Sequence, residues 1–138
     1  MGCIFCDIVA GRAAAAIVLR EAGVTAFLDA RPLFKGHVLV VPDAHVETLG
    51  DLPLPSLESY FAAVQRVSIA VQQGLGADGS FVANNNRVSQ SVPHLHFHVV
   101  PRRKGDGLRG FFWPRQPYAG ERERDDYRDR IARALSPT

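Results

Sequence analysis

The sequence predicts an α+β domain with a five-stranded antiparallel sheet, one long helix and a short C-terminal helix. Three observations lead to this fold class: several short β-like runs, short connections between most of them, and a single long amphipathic segment. Short connections favour antiparallel pairing, because parallel strands need long crossovers. The length of 138 residues suits one compact domain. We therefore expect a single domain over residues 1–138, with a C-terminal extension from about residue 114.

Five short runs are predicted as β-strands. The first two are separated by the hairpin-sized gap Glu21-Ala22-Gly23, and the third ends at Pro42, which cannot donate to a sheet ladder. The predicted strands cover residues 16–20, 24–29, 37–42, 80–84 and 94–100. We expect the long helix to cover one face of this sheet and the functional site to lie at the other.

The long helix is predicted between the third and fourth strands. Ser56 follows a proline-rich stretch and is a plausible N-cap. From Leu57 to Leu75 apolar residues recur at steps of three or four, as on one face of a helix. Gly74 and Gly76 mark its expected end.

The C-terminal part of the chain carries most of the positive charge. Ten of the 16 Lys and Arg residues follow Pro101, against six of the 14 acidic residues. A glycine-rich loop is predicted over residues 105–110, and a short helix over Glu121–Leu135 with a narrow apolar stripe. The basic residues after the last strand could contact polyphosphate or a partner subunit, or form an ordinary solvated surface. They are Arg102, Arg103, Lys104, Arg109 and Arg115, and the stripe is Tyr127, Ile131 and Leu135.

Several classes of protein are disfavoured by composition. No apolar stretch approaches the roughly 20 residues that span a bilayer, so a membrane protein is not expected. The N-terminus lacks the pattern of a secretory signal, so we expect a cytoplasmic protein. Nucleic acid is an unlikely partner, because the net charge is only +2 and acids alternate with bases along residues 121–133.

Three of the five histidines fall within five positions, at His94, His96 and His98. Because side chains alternate along a strand, all three are expected on one face, with apolar residues on the other. A single buried histidine is usually a hydrogen-bonded core residue, but three aligned ones are hard to explain that way. Two explanations of the row remain, a metal site and a set of catalytic imidazoles, and the spacing alone leaves both open.

The residues around this row resemble a known signature. Gln90-Ser91-Val92-Pro93 leads into residues 94–100, and the whole stretch is similar to the signature of the histidine triad (HIT) family. Residues 3–8, 26–29 and 36–42, followed by His45, resemble further family landmarks in the family's order. The resemblance covers nearly the whole chain up to Arg103 and implies a HIT-like fold.

The resemblance implies a hydrolase of nucleoside phosphoramidates or dinucleoside polyphosphates. His96 would be the nucleophile, becoming nucleotidylated before water releases the nucleoside monophosphate. The carbonyl of His94 would accept a hydrogen bond from the other ring nitrogen of His96, and His98 would contact the phosphate. Gln90 and Ser91 would lie near the bridging or leaving oxygen. A histidine rather than a glutamine at position 98 is typical of the family's hydrolases rather than its nucleotidyltransferases.

The resemblance also implies a purine nucleotide as substrate. Asp29 would bind the ribose hydroxyls, and three apolar side chains would form the slot for the base. Asn84 would make a polar contact near the phosphate, although turn chemistry explains the run of asparagines 84–86 equally well. The slot residues are Phe5, Ile8 and Phe27, and simple core packing is an equal alternative for Ile8.

The two cysteines, Cys3 and Cys6, suggest metal or redox chemistry by their spacing. Family relatives with this N-terminal pair imply a structural zinc held by Cys3, Cys6, His45 and His94, the alternative being two reduced thiols. The family also implies a homodimer with a continuous ten-stranded sheet. His37 is assigned no role. Three hypotheses follow: the hydrolase, a nucleotide-binding regulatory protein with incidental turnover, and a zinc protein that uses the triad as ligands.

Overall fold

The structure is a computed structural model that describes residues 2–109 and 115–135. It divides into two compact units, Met1–Asp106 and Gly107–Thr138. The predicted single domain with an extension from about residue 114 stays a prediction. The predicted glycine-rich loop is a turn-rich segment as far as Arg109, and its last residue, Gly110, lies outside the described residues.

The first unit contains the predicted α+β architecture. Its sheet has the strand order β1-β2-β3-β5-β4, and all neighbouring strands are antiparallel. The fold class and the five-stranded sheet are therefore confirmed. In chain order the elements are α1 (Ile4–Val9), β1 (Ile17–Glu21), β2 (Val24–Leu28), β3 (Val38–Pro42), a 3₁₀ turn (Leu49–Asp51), α2 (Leu54–Leu75), β4 (Gly79–Asn84), β5 (Phe97–Arg102) and, in the second unit, α3 (Glu121–Leu135).

The β1–β2 connection is tighter than the predicted gap, because Glu21 pairs directly with Val24. Only two residues remain in the turn, Ala22 with φ 51° and Gly23 with φ 77°. Two successive left-handed residues are the geometry of the hairpin turn that matches the twist of antiparallel strands. Glycine adopts this conformation without strain, whereas Ala22 does so at some cost.

The N-cap prediction for α2 was wrong. The cap is Pro53 rather than Ser56, and the helix begins at Leu54 with Pro55 in its first turn. Proline is tolerated there because the first N–H groups of a helix have no intrahelical acceptor. The C-terminal prediction is confirmed at Gly76, which has φ 60° and a left-handed conformation.

Helix α2 covers one face of the sheet, as predicted. The Tyr60 hydroxyl donates to the carbonyl of Val40 at 2.8 Å and ties the helix to β3. The buried core between helix and sheet includes Leu95 and Val99, which are both fully buried. Leu95 and Val99 alternate with the histidines along the chain and face α2, as the predicted alternation of side chains requires.

The predicted strand over residues 94–100 starts later than expected. Strand β5 begins at Phe97, so only His98 of the three histidines lies within it. The pairing of β5 with β3 ends at Phe97 opposite Val40. Beyond that point the Leu95 N–H donates to the loop carbonyl of Val46 instead. The chain therefore bends away from the ladder at the first two histidines.

The opposite face of the sheet is covered by α1, which the sequence analysis did not predict. Cys3 caps this helix, its sulfur accepting from the Cys6 N–H at 3.4 Å. Phe5 and Ile8 are buried against Phe27 in a second, smaller core. Although short, α1 places apolar side chains beside the histidines.

The second unit contains α3, whose predicted bounds are confirmed. Its side chains are largely exposed, including the predicted apolar stripe, and acidic and basic residues pair along it, for example Arg130 with Asp126 at 3.8 Å. Within the part of the chain that the structure describes, no helix is both long enough and apolar enough to cross a membrane.

Candidate active site

A cavity of about 610 Å³ opens on the sheet face opposite α2. Apolar side chains of α1 and β2 line one part of it, among them Phe5 and Phe27. Ser91, His96 and His98 line the polar part. The cavity thus combines an apolar slot with imidazole and hydroxyl groups, which is the composition expected of a small-molecule site.

His96 is buried in the wall of this cavity with 3% of its surface exposed. Its Nδ1 lies 2.7 Å from the carbonyl oxygen of His94, the hydrogen bond that the resemblance implies. A carbonyl only accepts, so Nδ1 carries the proton and Nε2 keeps a free lone pair in the neutral ring. The Phe5 ring packs edge-on against the imidazole at 5.1 Å. The arrangement fixes both the tautomer and the orientation of His96.

A chain of hydrogen bonds determines the tautomer of His98. The Leu33 N–H donates to His37 Nδ1 at 3.1 Å, so the proton of the neutral His37 ring is on Nε2. His37 Nε2 lies 2.9 Å from His98 Nδ1 and donates to it. His98 therefore carries its own proton on Nε2, where it is available to a ligand oxygen. His37 Nε2 also lies 3.7 Å from the Asp29 carboxylate.

Burial keeps these two rings neutral. Desolvation is the largest cause that lowers the pKa of His98 to about 4; the nearby His96 and His37 act in the same direction and Asp29 in the opposite one. Desolvation likewise lowers the pKa of His37, although Asp29 offsets part of that effect. At neutral pH both rings are therefore hydrogen-bond donors without a positive charge.

The predicted nucleotide-binding residues lie together around the cavity, with one exception. Phe5 and Phe27 form an edge-to-face pair at 5.4 Å beside Ile8. Asp29 lines the cavity, and its Oδ1 accepts from the Arg31 N–H at 2.9 Å. Asn84 instead donates through Nδ2 to the His96 carbonyl at 3.0 Å, which helps to hold the bend before β5.

The two predicted leaving-group residues are placed differently. Ser91 lines the cavity with His96 and His98. The Gln90 amide is committed to the loop backbone, accepting from the Arg87 N–H at 2.7 Å and donating to the Glu47 carbonyl at 2.6 Å. In this conformation Gln90 holds the loop that carries Ser91.

A second cluster of side chains joins α1, the loop after β3 and the histidine row. Its ligand atoms all lie within 4.8 Å of one another. The cluster consists of Cys3, Cys6, His45 and His94. His94 Nδ1 is 3.5 Å from each sulfur and 3.2 Å from His45 Nδ1.

The donor chemistry of this cluster fits zinc. Two thiols and two imidazoles form a tetrahedral ligand set, and His94 Nε2 donates to the Pro42 carbonyl at 2.8 Å. That hydrogen bond leaves Nδ1 unprotonated and directed at the cluster, as metal-ligating histidines require. The four residues can therefore hold a zinc ion, with His96 outside the set.

Comparison with known proteins agrees with this geometry. The model of the HIT domain matches residues 10–105, well over half of the chain. The chain belongs to the HIT family. It is 34% identical over 123 residues to adenosine 5′-monophosphoramidase hnt1 of Schizosaccharomyces pombe, covering 88% of this chain and 90% of that protein.

Solved structures of HIT proteins share its fold. A HIT family protein from Bacillus subtilis aligns with a TM-score of 0.88 and 33% identity over the full length of both chains. A zinc-bound histidine triad protein from Mycobacterium smegmatis aligns with a TM-score of 0.73 and 37% identity, covering 97% of this chain and 98% of that one.

Sequence reasoning missed one residue of this HIT site. His37 was given no role, yet its ring contacts His98 directly. The strand register contains the signal, because Leu39 pairs with His98 and His37 lies two residues before Leu39 on the same face. Without the register, a single histidine at the start of a strand carries no information about its partner.

Two basic residues at the end of β5 and just after it have structural partners. Arg102 forms an ion pair with Asp106 at 2.6 Å. Arg103 donates to the carbonyls of Leu75 and Gly76 at 2.6 and 2.7 Å, which caps the C-terminus of α2. The alternative of polyphosphate contacts therefore finds no support at these two positions.

Proposed function

We propose that this HIT protein hydrolyses nucleoside phosphoramidates or dinucleoside polyphosphates through a nucleotidylated His96. One observation carries the proposal: His96 lines the cavity while the His94 carbonyl holds the proton on Nδ1. The Nε2 lone pair of the neutral ring is thus available as a nucleophile. The S. pombe relative, named as an adenosine 5′-monophosphoramidase, supports the phosphoramidate class.

In the first step the lone pair of His96 Nε2 attacks the α-phosphorus. A P–N bond forms to the ring as the bond to the leaving amine or phosphate breaks. The His98 Nε2–H donates to a phosphate oxygen and stabilises the charge that develops there. The Ser91 hydroxyl lies in the same cavity and assists protonation of the leaving group.

In the second step water attacks the phosphorus and the P–N bond to His96 breaks. The electron pair returns to Nε2, the water proton passes to solvent, and a nucleoside monophosphate is released. Two displacements replace one difficult hydrolysis, which is the usual advantage of covalent catalysis. Throughout, Asn84 and the His94 carbonyl hold the His96 main chain and ring in place.

The apolar part of the cavity binds the base and Asp29 binds the ribose. Phe5 and Phe27 supply aromatic surface, and Ile8 closes the slot behind them. Asp29 Oδ2 accepts from ribose hydroxyls, while its Oδ1 remains bound to the Arg31 N–H. Such an apolar slot binds a purine through van der Waals contact with these side chains.

A structural zinc completes the proposal. Bound by Cys3, Cys6, His45 and His94, it would fasten the N-terminal segment to the sheet and stabilise the fold. The zinc-bound M. smegmatis neighbour supports this assignment. The four protein ligands leave no open coordination position, so the metal would take no part in bond breaking.

We also propose a homodimer. Strand β4 is an edge of the sheet, and Val82 on it is 41% exposed. Phe61 and Ile69 of α2 are also exposed apolar residues. Pairing of this edge across a two-fold axis would cover them. Light scattering should give twice the monomer mass, and the variant Val82→Lys should shift the mass towards the monomer.

The experiment that tests the function is a substrate panel with the full chain. Adenosine 5′-phosphoramidate and a dinucleoside tetraphosphate are incubated separately with the protein, and nucleoside monophosphate is quantified. We expect release from at least one of the two classes. Binding of nucleotide with no release from either class would favour a regulatory binding protein and contradict the proposal.

A further inference from the structure

His94 belongs to both clusters of the site. Its ring lies in the Cys3, Cys6 and His45 cluster, and its main-chain carbonyl accepts the hydrogen bond from His96. The ring is completely buried and both of its nitrogens are engaged, Nε2 by the Pro42 carbonyl. The position of this single residue therefore affects the metal-ligand cluster and the nucleophile together.

The peptide group between His94 and Leu95 is the physical link. Its oxygen accepts from His96 Nδ1 at 2.7 Å, and its N–H donates to the Val46 carbonyl at 2.7 Å. Because this segment lies before β5, no sheet ladder fixes the orientation of that peptide. The orientation depends instead on the buried Leu95 side chain, on the His94 ring and on the loop containing Val46.

Two of these supports, the His94 ring and the loop containing Val46, lead back to the metal-ligand cluster. His45, the neighbour of Val46, contributes its Nδ1 at 3.2 Å from His94 Nδ1 and 3.3 Å from the Cys6 sulfur. His45 is exposed, and its loop contacts the histidine segment through these ring contacts and the Val46 carbonyl, while Gln90 binds the Glu47 carbonyl next along the same loop. A cation shared by the two rings would fix both sides of the peptide group.

We propose that metal binding at this cluster positions the nucleophile, by orienting the 94–95 peptide group so that its carbonyl keeps the His96 proton on Nδ1. The inference rests on the proposed function and on metal uptake by the four residues. His45 is then a positioning residue: it touches neither nucleotide nor His96, and acts through the peptide group. Loss of the metal leaves His96 present but frees its ring to rotate and exchange tautomers.

The test compares the zinc-loaded full chain, the same protein after a chelator, and the variant His45→Ala. Glu47→Ala is the matched control, because Glu47 is exposed on the same loop outside the cluster and its side chain makes only a solvent-exposed contact with Arg87 at 3.7 Å. The zinc content per chain is measured by mass spectrometry. The values of kcat and KM are measured with adenosine 5′-phosphoramidate as substrate. Nitrogen-15 chemical shifts of the His96 ring show which nitrogen carries the proton.

We expect the loaded parent and Glu47→Ala to show His96 protonated on Nδ1. The chelated protein and His45→Ala should lose zinc, show mixed His96 tautomers and lose kcat by roughly 10- to 100-fold, the usual effect of removing a supporting contact of a site. Zinc added back to the chelated protein should restore the Nδ1 signal.

Zinc loss that leaves the His96 ring spectrum unchanged would overturn the inference, and so would a parent that takes up no metal. A rise in KM with kcat unchanged would also overturn it, because it would indicate damage to the nucleotide slot rather than to the nucleophile. The ring spectrum is recorded without substrate. It therefore decides this inference even if the parent releases no nucleoside monophosphate, a result that would count against the proposed hydrolysis alone.

Discussion

Two adjacent residues, Leu95 and His96, show how differently the two faces of the sheet are built. Leu95 faces α2 and is completely buried among apolar side chains. His96 faces the cavity and is almost as buried, but its ring is held by the carbonyl of His94. At Leu95 the helix face is stabilised by burial of apolar area, whereas at His96 the site face depends on a directed hydrogen bond to the main chain. Stability and chemistry are thus separated within one segment.

The largest expected effect comes from exchanging the nucleophile. His96→Ala should lower the hydrolysis rate by roughly 10⁴-fold or more, as removal of a catalytic nucleophile does elsewhere. Its melting temperature should fall less than that of Leu95→Ala, because the His96 ring lines an open cavity rather than the apolar core. Hydrolysis and thermal unfolding are measured on the same preparation. A variant that retains most of its activity would contradict the role of His96.

A substitution of the neighbouring residue, Leu95, should lower stability more than activity. Leu95→Ala removes a completely buried side chain from the helix face and should reduce the free energy of unfolding by about 2–5 kcal/mol. Denaturant titration gives the value, and activity is assayed on the fraction that remains folded. If folded Leu95→Ala loses activity as strongly as His96→Ala, the two faces are not separable in this way.

A polar contact on the helix face gives a smaller effect. Tyr60→Phe keeps the ring in the core but leaves the Val40 carbonyl without its donor, so the free energy of unfolding should fall by about 1–3 kcal/mol. Activity should be unchanged, since the contact lies across the sheet from the cavity. The measurement is denaturant unfolding beside the parent. An unchanged stability would show that water replaces the lost donor.

The site face should be sensitive to acid. Folded His98 has a pKa of about 4 against a usual value of 6.5, so between these values the unfolded chain binds more protons than the folded one. The free energy of unfolding should therefore fall as the pH falls from 6.5 towards 4. His98→Gln removes this group and should show a shallower fall over the same window. Identical pH profiles for the two proteins would contradict the assignment.

The smallest expected effect concerns the end of α2. Gly76→Ala forces a Cβ into a left-handed conformation with φ 60° and should cost about 1 kcal/mol, although nothing crowds the added atom. Gly74→Ala, inside the same helix and equally uncrowded, should stabilise by about 0.5–1 kcal/mol. Thermal unfolding of the two variants gives the comparison. Equal shifts of the same sign would contradict the capping role.

The helix face was the more predictable of the two faces. Apolar periodicity located α2 and the alternation around Leu95, because both follow directly from helix and strand geometry. The start of β5 and the beginning of α2 were misplaced, since they depend on long-range hydrogen bonds such as Leu95 to Val46 and on proline at the helix start. Periodicity contains no information about such contacts.

On the site face, the resemblance supplied residues that local patterns could not. The spacing of the histidines left metal binding and catalysis open, and in the structure the His94 ring lies in the cluster with the cysteines while its carbonyl accepts from His96. Helix α1 was missed because it has only 6 residues and its cap is a cysteine sulfur. The contact of His37 with His98 depends on strand register, which the sequence does not state.

The most direct test of this account is to isolate the covalent intermediate. The full chain is mixed with adenosine 5′-phosphoramidate, quenched within the first turnover, digested and analysed by mass spectrometry. The account predicts a peptide carrying one adenylyl group on His96, absent from the His96→Ala variant. An adenylyl group on another residue, or rapid release of nucleoside monophosphate by His96→Ala, would contradict it.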